Sequence, residues 1–334
     1  MKTSTYDKLT IIITNHDGHR YLTRLLNYYS NTKFKIIVAD SSDSKFSIEI
    51  QNDNIKYLHY PGMGIGEKLL NVYNQVETEF VVWNSVDDFL VEDGLIKAVD
   101  FLQNNLDYSS VHGKTLTKNK GYKLFYRERV SIENNSIQSR LDSLADDQYD
   151  NNLFSVNRTK DICNIFENMM YKYITPSYEF EMSHAIATLA HGKLKQIDNL
   201  FLIREKTPGS AGIIHKKFLL AKDKDNKNKA NFIADSAGYI EKKFNLSNNE
   251  AKYLIRKIIE NYIHLNLNTI KKIPNSFSLV LKFSKFLPNI IVKNAKFLLT
   301  ILSIFNLYRN KIITNQDLNK VKYICSLIDS NSRN

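Results

Sequence analysis

The sequence predicts an α/β protein: a doubly wound, mostly parallel sheet over the first two-thirds, then an all-helical basic region. Three observations carry this. Strand-like and helix-like hydrophobic periods alternate through the first hundred residues. Polar clusters close the strand-like runs. Between Asn261 and Gln316 acidic residues disappear while apolar ones stay dense.

Taken in order, "KLTIIIT" (Lys8–Thr14) is a β-branched run that reads as the first strand. His19–Ser30 follows as a helix, with Tyr21, Leu22, Leu25, Leu26 and Tyr29 at helical spacing. "FKIIVADSSD" (Phe34–Asp43) is a second strand ending in a polar turn, and "IKYLHYPG" a shorter third. Gly66–Thr78 is an amphipathic helix, "EFVVWNSVDD" a fourth strand and Glu92–Asn105 another helix. Tyr108 to Asn157 mixes short strands and loops. "VNRTKDICNIFENMMYKY" is helical, "SYEFEMSHAIATLAHGKLKQI" is a long helix ending at Gly192, and "NLFLIRE" is a final strand. The charge run Lys222–Lys229 reads as a solvated loop or linker, after which the chain is helical. The expected boundaries are 1–215 for the α/β domain, 216–240 for the charged linker or loop and 241–334 for the basic helical region.

Composition narrows the class. A hydrophobic content of 43% with 24% charged residues belongs to a folded chain. Two distant cysteines, Cys163 and Cys325, suggest neither a zinc site nor a disulfide framework, and a reducing cytoplasm is expected. The opening apolar run is strand-sized and followed by polar residues, so no signal segment is expected. No window holds the roughly 18 apolar residues of a membrane span. The net charge is +11, and eight lysines and arginines lie between Lys271 and Lys311 without an acidic residue. Such a stretch suits nucleic acid or the anionic face of a membrane; the clusters "FLPNIIV" and "FLLTILSIF" favour peripheral membrane contact through 279–311 over specific nucleic-acid binding. The rival is packing of these helices on the first domain or on a second subunit.

In a doubly wound sheet ligands bind beyond the carboxyl ends of the strands. Thr14, Asn15 and Asp17 close the first strand, and Asp40, Ser41, Ser42 and Asp43 the second: short, rigid donors and acceptors suited to a base and ribose, or simply good turn residues. "PGMGIGEK" matches neither the P-loop nor the dinucleotide fingerprint, but brings Lys68 to a helix start where an anion can bind. Asp87 and Asp88 end the fourth strand side by side. Mg²⁺ or Mn²⁺ is commonly held by one or two carboxylates with phosphate oxygens and water completing the shell; the alternative is a turn leading into a helix. Glu179, Glu181 and His184 start the long helix, with Glu181 and His184 on one face. A carboxylate there suits a general base, or merely complements the helix dipole.

In this order the segments resemble the GT-A fold, family-2-type inverting glycosyltransferases. "LTIIITNHDGHRYLTRLL" resembles their opening strand–turn–helix, "IIVADSSD" their base-reading second strand, and "VETEFVVWNSVDDFLVEDGL" their metal-binding segment. "EFEMSHAIATLAHGKLKQIDNLFLIRE" is similar to their acceptor-side helix and following strand. The match runs from Lys8 to Ser210, and the "DSS" and "DDF" details are similar to a bacterial surface-polysaccharide subset. The resemblance implies a nucleotide-sugar donor contacted by Thr14, Asn15 and Asp40, with Lys68 near the diphosphate and Arg204 either reaching it or bracing the site. It implies metal and sugar diphosphate at Asp87, with Asp88 sharing the metal site, either beside the donor sugar or behind the direct ligands, and Glu181 as catalytic base with Glu179 as substitute. The acceptor would be a hydroxyl of a glycan or lipid-linked molecule. Two positions depart from the pattern: Ser85 stands where the first metal-segment carboxylate is expected, and Glu181 where Asp is usual. A non-catalytic sugar-binding protein and a nucleotidyltransferase are the competing classes; the latter should carry a Gly-rich loop after the first strand, where "TNHDGHR" has only Gly18. Oligomeric state is not legible.

Overall fold

The apolar run at the start of the chain becomes the middle of a parallel sheet. Strand β1 (Leu9–Asn15) is buried along its whole length and lies between β2 (Lys35–Asp40) and β4 (Phe80–Ser85), with β3 (Ile55–His59) beyond β2. All these pairs are parallel, and β-branched residues suit a strand covered on both faces. The covering helices are α1 (His19–Tyr28), α2 (Ile65–Tyr73) and α3 (Glu92–Asn104). The computed structural model describes residues 4–47, 52–119, 123–127, 130–146, 152–169, 178–206, 226–271 and 289–331.

The second half of the domain is mixed. It comprises β5 (Phe89–Leu90), β6 (Tyr108–Asn119), β7 (Lys123–Arg127), α4 (Ile137–Asp146), β8 (Val156–Arg158), α5 (Thr159–Asn168), α6 (Tyr178–His191) and β9 (Lys193–Lys206). Among the described residues one sheet runs β3-β2-β1-β4-β8-β6-β9-β5, with β7 paired to β6. Here β6 and β9 are parallel, whereas β5, β7 and β8 pair antiparallel.

Two strands are longer than the sequence pattern predicts. The 12-residue β6 replaces the expected short strands and loops, because Ser110, His112, Lys114 and Lys118 are buried polar residues that interrupt any apolar period. β9 begins well before "NLFLIRE"; Lys193 and Lys195 sit on it and pair with Asp107 and Glu133. Gly94 is required where α3 crosses β9, since a Cβ there would lie 2.5 Å from the Leu200 carbonyl oxygen.

The C-terminal elements are α7 (Asn226–Phe244), α8 (Asn248–Lys271), α9 (Asn289–Arg309) and α10 (Asn315–Asn331). Residues 226–240 were expected in the charged linker but belong to α7, where Phe232, Ile233, Ala237 and Ile240 are buried; the lysine-rich opening masks this helical period. The remainder of that linker, 216–225, lies outside the described residues. α8 packs on α4 and α7, and α10 returns to α1 and β9. The α10 contact is anchored by Lys118 of β6, itself buried, which donates to the Cys325 carbonyl (3.1 Å) and pairs with Asp329 (2.6 Å). Tyr323 stacks on Tyr28, and Lys320 pairs with Asp93.

Candidate active site

Register brings the polar strand ends level. Asn15 lies opposite Asp40, and Thr14 lies between Ala39 and Ser85. The Asp40 carboxylate is fully buried: Oδ1 accepts from the Ser42 backbone N–H (2.9 Å) and hydroxyl (2.6 Å), Oδ2 from Tyr57 Oη (2.8 Å) and His19 Nε2 (2.9 Å). Burial alone would raise its pKa, but the donated hydrogen bonds, those of Ser42 foremost, outweigh it and hold the carboxyl at about 2. Ser42 Oγ also accepts from the Asp17 backbone N–H (2.8 Å) and from Asn15 Nδ2 (3.3 Å), tying the β1–α1 turn to the end of β2. Asp17 takes φ 53°, and Gly18 follows because a Cβ there would meet Asn15 Oδ1 at 2.6 Å.

Thr14 and Lys68 are built into this floor. Thr14 Oγ1 accepts from Trp83 Nε1 at 3.0 Å. Lys68 is buried and donates to the Asn15 carbonyl and Ser41 Oγ, both at 2.9 Å. Burial pulls its ammonium pKa down to about 8, partly offset by the Asp40 charge. Lys68 therefore places a cation under the strand ends rather than at a flexible surface.

The Asp87–Asp88 turn divides its two carboxylates. Asp88 is buried, and Oδ2 accepts from Arg204 Nε (2.9 Å) while Oδ1 accepts from the Glu205 backbone N–H (3.1 Å). Burial pushes the Asp88 carboxyl up to about 7; Arg204 opposes this and the Asp87 charge adds to it. Asp87 is half-buried and accepts from Ser85 Oγ at 2.6 Å. Ser85, a departure from the expected pattern, thus orients the neighbouring carboxylate. Below the turn Arg24 pairs with Glu205 at 2.7 Å, its guanidinium 4.9 Å from the Phe89 ring centroid.

Helix α6 adds the opposite wall. Phe180 is buried edge-on against Trp83, with ring centroids 5.6 Å apart, which fixes the helix turn carrying the half-buried Glu179 and Glu181. Arg204, over the Phe154 ring, feels the negative charges of Asp88, Asp87 and Glu181; these overcome burial and raise its pKa. The structure therefore gathers Asp87, Asp88 and Arg204 into one cluster, with Glu181 close enough for its charge to reach Arg204, and Thr14, Asn15, Asp40 and Lys68 into another, joined along β1 and β4. His184 is buried, with Nδ1 3.1 Å from Asn152 Oδ1, and serves the interior of α6. Sequence reasoning missed His19 and Tyr57 as partners of Asp40, and Arg24 and Glu205 beneath Asp88; His19, Arg24 and Glu205 lie inside the segments that carry the family resemblance but have no role assigned there, and only the packing of α1 and the register of β3 and β9 bring all four in.

As a metal site the turn offers Asp87 and Asp88, and Asp87 is the more accessible, since Asp88 is buried and each of its oxygens already accepts a hydrogen bond. Among the described residues no three His, Cys, Asp or Glu side chains form a metal-ligating group. One carboxylate fits Mg²⁺ or Mn²⁺ when diphosphate and water complete the shell.

No family model matches the sequence, and no curated protein matches it. Among solved structures, S. aureus TarS 1-349 superposes with a TM-score of 0.52 at 13% sequence identity, over 97% of this chain and 88% of that one. The same protein in complex with UDP-GlcNAc gives 0.53 at 13% identity, over 97% and 89%. At such identity the likeness bears on the fold alone. The parallel-dominated sheet and C-terminal helices agree with it, and the chain has a GT-A fold.

Proposed function

We propose that this chain is an inverting glycosyltransferase that moves a sugar from a nucleotide-sugar donor to a hydroxyl of a glycan or lipid-linked acceptor in bacterial surface-polysaccharide or glycoconjugate synthesis. The observation that carries it is the joining of two clusters on one GT-A sheet: a buried Asp40–Asn15–Lys68 floor and an Asp87–Asp88–Arg204–Glu181 wall. The TarS structure of the same fold holds UDP-GlcNAc, which makes a uridine diphosphate sugar the first donor to try.

In this reading Thr14, Asn15 and Asp40 form the floor beneath the base and ribose, with Asp40, whose four acceptor sites are filled from within the protein, holding Ser42, Tyr57 and the partly exposed His19 in place there. Lys68 and Arg204 favour the diphosphate through positive charge. A divalent cation held at Asp87, with Asp88 close behind, would supply neutralisation of the leaving diphosphate. Glu181 accepts the proton of the acceptor hydroxyl as its oxygen attacks the anomeric carbon. The bond from that carbon to the phosphate oxygen breaks with its electron pair passing to the nucleoside diphosphate, and one displacement inverts the anomeric centre. Glu179, two positions before Glu181 with Phe180 between them, is the substitute base. The protein would work in the cytoplasm, with peripheral contact at the inner face of the membrane through 279–311.

Nucleotide release from a panel of nucleotide sugars, with and without Mn²⁺, tests the reading, and NMR of the product tests inversion. Donor-dependent release lost in Glu181→Gln is expected. Binding without release from any donor and acceptor would indicate a sugar-binding protein instead.

A further inference from the structure

α9 carries apolar side chains on two opposite faces. It packs against β7 and α10, with Thr300, Ile304 and Leu307 buried. Leu298, Ile301, Leu302 and Phe305 follow the i, i+3, i+4, i+7 spacing of one helix face and are 57%, 42%, 52% and 61% exposed. At 100° per residue this stripe lies across the helix from Thr300, Ile304 and Leu307. The inner face already has its partners, so the outer stripe is surplus to the fold. A surface helix ordinarily turns charge to that side.

Charge identifies the occupant. The stripe lies inside the stretch from Asn261 to Gln316, which has eight lysines and arginines and no acidic residue. Arg309, one turn beyond Phe305, and Lys311 are exposed at its end. A second copy set on the same face would bring like charges together across an isologous contact. An anionic headgroup layer complements them, while the acyl boundary beneath accepts the leucines and phenylalanine. No helix among the described residues is long and apolar enough to cross a membrane, so α9 would lie in the interface plane.

We propose that α9 is an interfacial helix that seats Leu298, Ile301, Leu302 and Phe305 in the surface of a bilayer rich in anionic phospholipid. Arg309 and Lys311 meet headgroup phosphates while their stems cover the stripe's edge. The inference deepens the membrane contact proposed above and rests on it, but not on the transfer chemistry. Co-sedimentation of the full chain with phosphatidylglycerol-containing vesicles, against pure phosphatidylcholine vesicles, tests it. Binding about tenfold stronger to the anionic vesicles is expected. Leu302→Gln with Phe305→Gln should lose most of that binding, with melting temperature and nucleotide release on a water-soluble acceptor unchanged. Arg309→Glu with Lys311→Glu should remove the preference for anionic lipid. Wild-type protein that ignores both vesicles, that binds both equally, or whose glutamine variant still binds would overturn the proposal. So would a wild-type dimer, seen by light scattering, that the glutamine variant dissociates without any vesicle binding.

Discussion

Asp88 and Arg204 are joined at 2.9 Å across the ends of β4 and β9, yet only one partner is sealed from water: the carboxylate is 1% exposed and the guanidinium 38%. Removing either partner therefore has unequal consequences. Arg204→Ala leaves a buried carboxylate without its main donor and should cost about 3 kcal/mol in denaturant unfolding. Asp88→Ala leaves an arginine that can turn to solvent and should cost about 1 kcal/mol. Equal losses would mean that the pair acts through packing alone.

Asp40 should mark the acid limb of stability. Its folded-state pKa of about 2 lies below the ordinary value of about 3.9 in an unfolded chain. The stabilisation is therefore fully present above that ordinary value and is lost as pH falls through the folded pKa. It amounts to roughly 2 kcal/mol. Urea unfolding from pH 5 to pH 2 should show a steeper loss for wild type than for Asp40→Asn; parallel curves would refute the assignment.

Glu181→Gln keeps the side chain's shape and removes its basicity. A fall in kcat of about 100-fold or more is expected, with donor affinity within a factor of about three. Glu179→Gln should leave kcat within about tenfold of wild type. Reversal of this ranking in steady-state kinetics would move the base to Glu179.

Gly18→Ala places a methyl group 2.6 Å from Asn15 Oδ1 and 3.1 Å from Val86 Cγ1. Asn15 or the turn must move, at a cost of about 1–3 kcal/mol. Donor affinity should weaken alongside thermal stability. A drop in stability with donor affinity untouched would separate Asn15 from the nucleotide.

The N-terminal half of the sheet was legible because β1, β2 and β4 are continuous apolar runs that end abruptly on polar residues. That pattern states both the strand and where its end lies. The same pattern fails for β6, whose Ser110, His112, Lys114 and Lys118 are buried polar groups. It fails also for the start of α7, where lysines hide a packed face. At the site, Asp40, Asp87 and Asp88 could be named from strand ends, and Arg204 from the family resemblance alone. That Asp88 is taken up by Arg204 and Glu205 depends on the placing of β9 beside the β4 turn, and that Lys68 is buried depends on α2 packing under the ends of β1 and β2, while the short Ser85–Asp87 contact is marked by no period. No local period encodes either placement.

The most direct test of the strand-end site is thermal stabilisation by UDP-GlcNAc and a panel of nucleoside diphosphates, with and without Mn²⁺, on wild type, Asp40→Asn and Asp87→Ala. A ligand at about 100 times its Kd stabilises by about 2.7 kcal/mol, a shift of several degrees. The account predicts such a shift for one nucleotide class, largely lost in Asp40→Asn, with its Mn²⁺-dependent part lost in Asp87→Ala. No shift with any nucleotide, or a shift that both variants retain in full, would contradict it.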